Sequence, residues 1–363
     1  MGAGPALKGA TPDSPHGLRA KALRSGLLAA ALLALCLASC RNAARPAREW
    51  IEIAGPTMGT TYSVSLHAGT HRRSPAVLQR RIERILQRIT DSMSTYDPQS
   101  ELSRFNRSRR TGWTAVSLDT LTVVEEALRI SALTDGAFDV TVGPLVNLWG
   151  FGPEGRAPAI PGSAAVEAAR ATVGFRHLGA RRHPPAIRKL RPAMYVDLSA
   201  IAPGYAVDRI AGYLDGLGVE RYLVEIGGEV RAEGTNPRGE PWRIGIERPV
   251  GGERSVQRVA QLSGQALATS GDYRNYLELE GRHYSHIIDP RTGKPVGHGL
   301  ASVSVIRPSA MEADALATAL MVLGPEGGLE LAEREELPAY FIVHSVDGFA
   351  ERHSPAFSQY LVP

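Results

Sequence analysis

The chain has 363 residues, with 41 Lys and Arg against 37 Asp and Glu, for a formal charge of +4. Residues 1–39 hold most of that excess; beyond them 37 basic residues face 36 acidic ones, so no bulk charge favours nucleic acid. The only cysteines are Cys36 and Cys40, so the chain beyond Cys40 has no thiol catalysis, disulfide or cysteine metal site.

In chain order, Lys8, Arg19, Lys21 and Arg24 come first, then an apolar run from Leu27 to Leu37, then Ala38-Ser39-Cys40. This layout predicts a secretory signal over 1–39. The run is shorter than the roughly 20 residues of a comfortable bilayer span. Leu37-Ala38-Ser39-Cys40 resembles a lipobox, which implies lipidation of Cys40. Residues 40–50 read as the lipidated cysteine and a tether. The rest, 51–363, is long enough for one large domain or two tightly fused lobes.

Within it, Ile51 to Leu66 reads as two β pieces around Gly55-Pro56, a hairpin-like signal. Leu78, Ile82, Ile85, Ile89 and Met93 recur at helical spacing and stop before Pro98. Ser117 can cap a second helix that buries Leu121, Val124, Leu128 and Ile130, with Gly136 as its stop. Pro153 to Gly162 reads as a loop, Met194 to Leu198 as a buried strand, and Tyr205 to Leu217 as a helix behind it. Tyr222 to Glu233, Trp242 to Glu247 and Ser302 to Arg307 read as strands. Ser309 and Glu312 have capping-box spacing ahead of a helix over Ala310 to Leu323. Tyr340 to Val346 and Phe349 to Arg352 form a final strand pair around Asp347-Gly348. The mixture predicts an α/β protein of the α+β type, and no G-x-G-x-x-G between strand and helix supports a Rossmann fold.

The helix AMEADALATALMVL is apolar on nearly every side yet carries Asp314 and Thr318, four residues apart on one face. A hard oxygen pair of this kind suits Mg²⁺ or Ca²⁺; the alternative pairs Asp314 with a basic residue and bonds Thr318 back to a carbonyl. Four more segments attract attention. GAFDVTVGP (136–144) places Asp139 between apolar neighbours, as a ligand contact or a turn into a strand. VDLSAIAPGYAVD (196–208) ends a strand at Asp197, as a ligand group or a helix cap. YSHIIDPRTGKP (284–295) offers His286 for acid–base work, or a structural histidine in a strand, before a strong turn signal. IGGE (226–229) can be a close approach to a ligand or a bulge in a hairpin.

In their order and spacing these segments resemble the bacterial FAD:protein FMN transferase family, the ApbE-like flavin transferases. The resemblance runs from Pro56-Thr57-Met58-Gly59-Thr60 to about Gly324 and includes STYD (94–97), SRFN (103–106), VEIGGEVRAEG, ATSGDYRNY (268–276) and ADALATAL. It implies mixed, largely antiparallel sheets with packed helices, as two fused lobes with the active site in the cleft. It further implies that Asp314 and Thr318, with main-chain oxygens near Ala200 and Ala317, hold Mg²⁺. Met58, Tyr96, Ala137, Phe138, Asp139, Asp197 and Ile288 match positions lining the FAD pocket, and His286 a position implicated in activity; Asp197 is a second candidate proton acceptor. One departure is Pro203, where the family commonly has lysine; Arg274 and Lys294 are the substitutes considered.

The implied activity is Mg²⁺-dependent transfer of FMN from FAD to a Thr or Ser hydroxyl of target proteins, with AMP released. An FAD pyrophosphatase giving FMN and AMP, or a non-catalytic FAD-binding lipoprotein, would use the same residues. The implied partners are flavin-acceptor subunits of membrane redox complexes and, through the lipid, the periplasmic side of a bacterial membrane.

Overall fold

The computed structural model describes residues 1–2, 50–69, 73–153, 159–250, 255–273, 276–279 and 281–362. The signal, Cys40, the tether up to Glu49, Arg274 and part of the 153–162 loop lie outside the described residues. β1 (Trp50–Thr57) and β2 (Thr60–His67) form the first hairpin. Its turn falls at Met58 and Gly59, with φ of 46° and 75°, not at Gly55-Pro56. Those two residues stay in β1, opposite Tyr62 and Thr61. A Cβ on Gly55 would sit 2.8 Å from the Tyr62 ring, so space rather than turning selects that glycine. Pro56 is tolerated because β1 is an edge strand.

Helix α1 (Pro75–Met93) buries Leu78, Ile82, Ile85, Ile89 and Met93, the face its periodicity predicts. α2 (Glu101–Arg107) and β3 (Thr114–Ala115) follow. α3 (Leu118–Leu133) starts at Ser117, whose hydroxyl accepts the Thr120 N–H, and the chain turns away through Asp135 and Gly136 at positive φ. Next come α4 (Gly143–Leu148), α5 (Ser163–Arg170), β4 (Leu178–Arg181), β5 (Ala186–Lys189) and α6 (Ala202–Asp215). β6 (Tyr222–Ile226) with β7 (Glu229–Glu233), and β8 (Trp242–Glu247) with β9 (Val256–Leu262), form hairpins, and β10 (Gln265–Gly271) follows, pairing with β7. β11 (Tyr276–Leu279), β12 (Arg282–Ser285), β13 (Ile288–Asp289) and β14 (Lys294–Pro295) are short. β15 (Leu300–Arg307), α7 (Ala310–Arg334), β16 (Ala339–Ser345) and β17 (Gly348–His353) complete the chain.

Eight strands pair antiparallel in the order β1-β2-β6-β7-β10-β15-β16-β17. The middle of this sheet is covered on both faces. Alternate residues therefore enter two cores: Ala266, Val305 and Phe341 join the larger, and Leu267, Ile306 and Tyr340 the smaller. Each fully buried aliphatic side chain contributes about 1.5–3 kcal/mol by leaving water. A third cluster, Leu145, Trp149, Val166, Val173 and Ile288, packs α4 and α5 against the β13–β14 turn. The Trp149 indole N–H fixes that turn by donating to Gly293 O at 2.9 Å.

The segment Met194–Leu198 is buried but does not form the strand its apolar run predicts; only Tyr195 makes an isolated bridge, to Val142. A side chain replaces the missing ladder neighbour. Asn106 Nδ2 donates to Val196 O and Asn106 Oδ1 accepts the Val196 N–H, each at 2.8 Å. Lys189 Nζ, fully buried, donates to Asn106 O at 2.9 Å and Met194 O at 3.1 Å. Burial pushes its ammonium down to about 8, and the Arg109 charge adds to that.

α7 stays regular to Leu323 and breaks at Gly324 (φ 79°, ψ −178°), next to Pro325. Its start is tied to α6. Asp208 accepts hydrogen bonds from the Ser309 hydroxyl (2.7 Å) and from the N–H groups of Ala310 (3.0 Å) and Met311 (2.9 Å). The capping box is half realised: Ser309 accepts the Glu312 N–H, while the Glu312 carboxylate turns to Arg129 and Arg307. The two helices touch so closely that a Cβ on Gly204 would lie 2.3 Å from Ala310 O.

Candidate active site

A cavity of about 700 Å³ opens between β7, β10, the first turns of α7 and the loops around 137–142, 197–200 and 286–290. α7 supplies its innermost polar groups. Asp314 and Thr318, one helical turn apart, both line it, as does Ala200 across from them. Asp314 is only 8% exposed, and its Oδ2 accepts the Gly204 N–H at 3.0 Å. Burial pushes its carboxyl up to about 7; the Gly204 hydrogen bond opposes this, and no basic side chain counters the charge. The alternative of an ion pair with a basic residue is thus not realised among the described residues. Among the same residues no group of three or more His, Cys, Asp or Glu could hold a metal. What remains is a buried carboxylate, a hydroxyl and main-chain oxygens, a hard donor set that fits Mg²⁺ or Ca²⁺. Ala317 is not on the cavity wall; its methyl lies in the main core, one residue before Thr318.

Other parts of the wall are aromatic and apolar. Tyr96 lines it while staying 69% exposed. The turn that carries it is held from within. Ser94 Oγ accepts the N–H groups of Tyr96 (3.1 Å) and Asp97 (3.0 Å), and the Ser100 and Ser103 hydroxyls donate to Ser94 O. A fixed, exposed ring beside a cavity is a stacking surface for a flat ligand. Ala137, Phe138 and Ile288 line the wall as buried residues. Met58 does not reach it: it sits half-buried at the tip of the β1–β2 turn and packs on the main core, leaving Thr60 and Thr61 to face the cavity.

Asp139 and Asp197 both line the cavity, and each also holds the backbone. Asp139 Oδ1 accepts the Thr141 N–H (2.8 Å) and hydroxyl (2.6 Å), and its Oδ2 accepts the Phe175 N–H (2.8 Å). Burial raises its carboxyl and those hydrogen bonds partly offset the rise. Asp197 Oδ1 accepts the Ser199 N–H (2.9 Å) and hydroxyl (2.6 Å), while its own N–H donates to Val140 O (2.7 Å). His286 lines the cavity too, from a bend between β12 and β13 and not from within a strand. Its ring meets Phe151 edge-on, with centroids 6.3 Å apart.

The Gly227-Gly228 pair is a two-residue hairpin turn (φ 65° and 120°) between paired Ile226 and Glu229, not a bulge, and it forms part of the wall. Glu225 and Glu229, on either side of the Ile226–Gly228 segment, line the cavity too; the glycine pair is the one sequence signal that points to them. Glu247, Thr269 and Tyr273 also line it. Glu247, the last residue of β8, carries no signal of its own in the sequence.

Pro203 occupies the first turn of α6, where its missing N–H costs nothing, and is not on the wall. Lys294 is exposed on β14 and does not line the cavity either. Among the described residues the cavity wall therefore has six carboxylates, one histidine and no Lys or Arg. A polyanionic ligand in such a site needs a cation to accompany it.

Comparison with known proteins fits this geometry. The family model for the ApbE family matches residues 58–341. A relative from Vibrio cholerae named FAD:protein FMN transferase is 48% identical over 93% of this chain and 99% of its own length. One of the same name from Escherichia coli K12 is 43% identical over 93% and 97%. The solved structure of the flavin transferase ApbE from Vibrio cholerae superposes with a TM-score of 0.80, covering 86% of this chain and 99% of that one.

Proposed function

The chain belongs to the ApbE family, and from that premise we propose that it transfers FMN from FAD to a Thr or Ser hydroxyl of an acceptor protein and releases AMP. The observation that carries this reading is the cavity itself. Its wall combines an exposed aromatic ring, carried on a hydrogen-bonded turn, with a buried, uncompensated carboxylate, in a volume that suits a dinucleotide.

In the reaction, the acceptor hydroxyl oxygen attacks the FMN-side phosphorus. The phosphoanhydride bond to AMP breaks, and the hydroxyl proton passes to a base. Such transfers depend on in-line positioning and on neutralising developing charge. Tyr96, Phe138 and Ile288 are suited to hold the isoalloxazine, and the Asp139 and Asp197 turns to fix the loops against which the ribityl chain and phosphates lie. His286 is the proton acceptor we assign, with Asp197, which also lines the cavity, as the alternative. Mg²⁺, held by the Asp314 carboxylate, the Thr318 hydroxyl and the main-chain oxygen of Ala200, would supply the positive charge that this acidic wall lacks.

We further assign the enzyme to the periplasmic side of a bacterial membrane, anchored by lipid at Cys40. There the acceptor subunits of membrane redox complexes would be within its reach. The support is the Leu27–Leu37 run and the Leu37-Ala38-Ser39-Cys40 sequence.

The test is incubation with FAD, Mg²⁺ and a flavin-acceptor domain, followed by intact mass measurement. The expected result is an increase of one FMN on the acceptor, with AMP formed in equal amount and both abolished by chelation. AMP without any mass gain would show hydrolysis and overturn transfer; flavin retention without AMP would leave only a binding protein.

A further inference from the structure

Residues 104–117 and 168–196 together hold eleven Lys and Arg and no Asp or Glu. From Trp50 onward the chain has 34 basic and 35 acidic residues, so this concentration leaves the remainder distinctly acidic. The fold joins the two stretches in one small sheet, ordered β3-β5-β4. Alternation along its central strand sends Ile187 and Lys189 inward, each fully buried, and Arg188 to the opposite face.

On that outer face Trp113 is 38% exposed, and the guanidinium carbons of Arg181 and Arg188 each lie 4.6 Å from its ring centroid. Gly179 makes room for them: a Cβ there would meet the Arg188 side chain at 3.1 Å and the Trp113 ring at 3.5 Å. Leu190, two residues beyond Arg188, is 49% exposed. Arg107, Arg109 and Arg110 are exposed on the chain leading to Trp113. Arg182 pairs with Glu125 at 2.8 Å, but no carboxylate pairs with Arg109, Arg110, Arg181 or Arg188 among the described residues.

We propose that this face docks the domain on an anionic phospholipid surface. An indole flanked by guanidiniums, with an exposed leucine two residues beyond one of them in the chain, combines the two attractions of a membrane interface: charge to the headgroups and an amphipathic ring at their level. An acidic peptide would satisfy the arginines alone and leave Trp113 and Leu190 exposed. The contact is additional to the transfer reaction and does not need lipid at Cys40.

The domain 50–363 can be tested alone, because all three cores lie within that compact unit. It should co-sediment with phosphatidylcholine vesicles only when they contain phosphatidylglycerol, and release at high salt. Each arginine near the surface is worth about five-fold in partitioning, so Arg181→Gln with Arg188→Gln should weaken binding on the order of 25-fold. Trp113→Ala should weaken it as well, and Arg243→Gln, on β8, should leave it unchanged. Flavin transfer to a soluble acceptor domain should be unaltered in the double variant, which separates this proposal from the transfer assignment and certifies the fold. Equal partitioning of wild type and double variant would overturn the proposal. So would intact vesicle binding with a raised KM for the acceptor, because the face would then serve the protein substrate.

Discussion

Asn106 is the residue on which a single change should be most informative. Its amide closes both backbone groups of Val196, a fully buried residue, and Val196 immediately precedes Asp197 on the cavity wall. Asn106→Leu keeps the volume but leaves a buried N–H and a buried C=O unpaired. At about 1–3 kcal/mol for each orphaned group, the loss is roughly 2–6 kcal/mol. With an unfolding entropy of about 2.1 cal/mol/K per residue, a domain of this size loses roughly 1.5 °C of Tm per kcal/mol. The melting point should therefore fall by roughly 3–9 °C in scanning calorimetry. Asn106→Asp keeps the acceptor for the Val196 N–H but sets a buried carboxylate oxygen against Val196 O, so it should destabilise too, least at low pH where the carboxyl is protonated and can donate. Turnover below the melting point should also drop in Asn106→Leu, because Asp197 and the Ser199 turn lose their register. An unchanged melting point would refute the argument that this side chain stands in for a missing strand.

Asp314 gives a pH signature in metal-free protein. Its folded pKa is raised from 3.8 to about 7, so its contribution to stability is complete below pH 3.8 and is lost as pH rises towards 7. The melting point of wild type in chelator should decline across that window, relative to a flat profile for Asp314→Asn. Added Mg²⁺ should raise it at pH 8 in wild type only, and transfer should be lost in the variant; parallel profiles would remove Asp314 from the cation site. Gly204→Ala places a methyl 2.3 Å from Ala310 O and 2.8 Å from Met311 Cα, both backbone atoms that cannot rotate away. Overpacking of this kind costs about 1–3 kcal/mol. Calorimetry should show that loss together with weaker Mg²⁺ stabilisation, because Gly204 N–H also holds Asp314; a wild-type melting point would mean the helices repack freely.

The features legible in sequence were those set by local chemistry. The apolar run of α7 over Ala310 to Leu323 and the Asp289–Gly293 turn each depend on residues within a few positions of one another. The grouping of Asp314, Thr318, Ala200, Asp197 and His286 has a different source: it is implied by the resemblance of their segments to the family, and the structure places all five on one cavity wall. What was missed depends on distant partners. Met194–Leu198 has the composition of a strand, yet the neighbour that would complete it is a side chain 90 residues earlier. The β1–β2 turn was misplaced because Gly55 looks like a turn residue and is instead selected by the Tyr62 ring lying over it. Met58 matches the pattern of a pocket residue but, in that turn, is carried off the wall. β4 and β5 are short, and no alternation marks them as strands; pairing with each other and with β3 makes them a sheet.

The tie between Asp208 and the first residues of α7 has a further consequence. Helix ends normally fray, and Asp314 lies only one turn inside this one. With Asp208 fixing Ser309, Ala310 and Met311, that turn gives up its freedom when the protein folds, before any ion arrives. Cation capture then carries little ordering entropy, and the site is preorganised by a residue that never touches the ion.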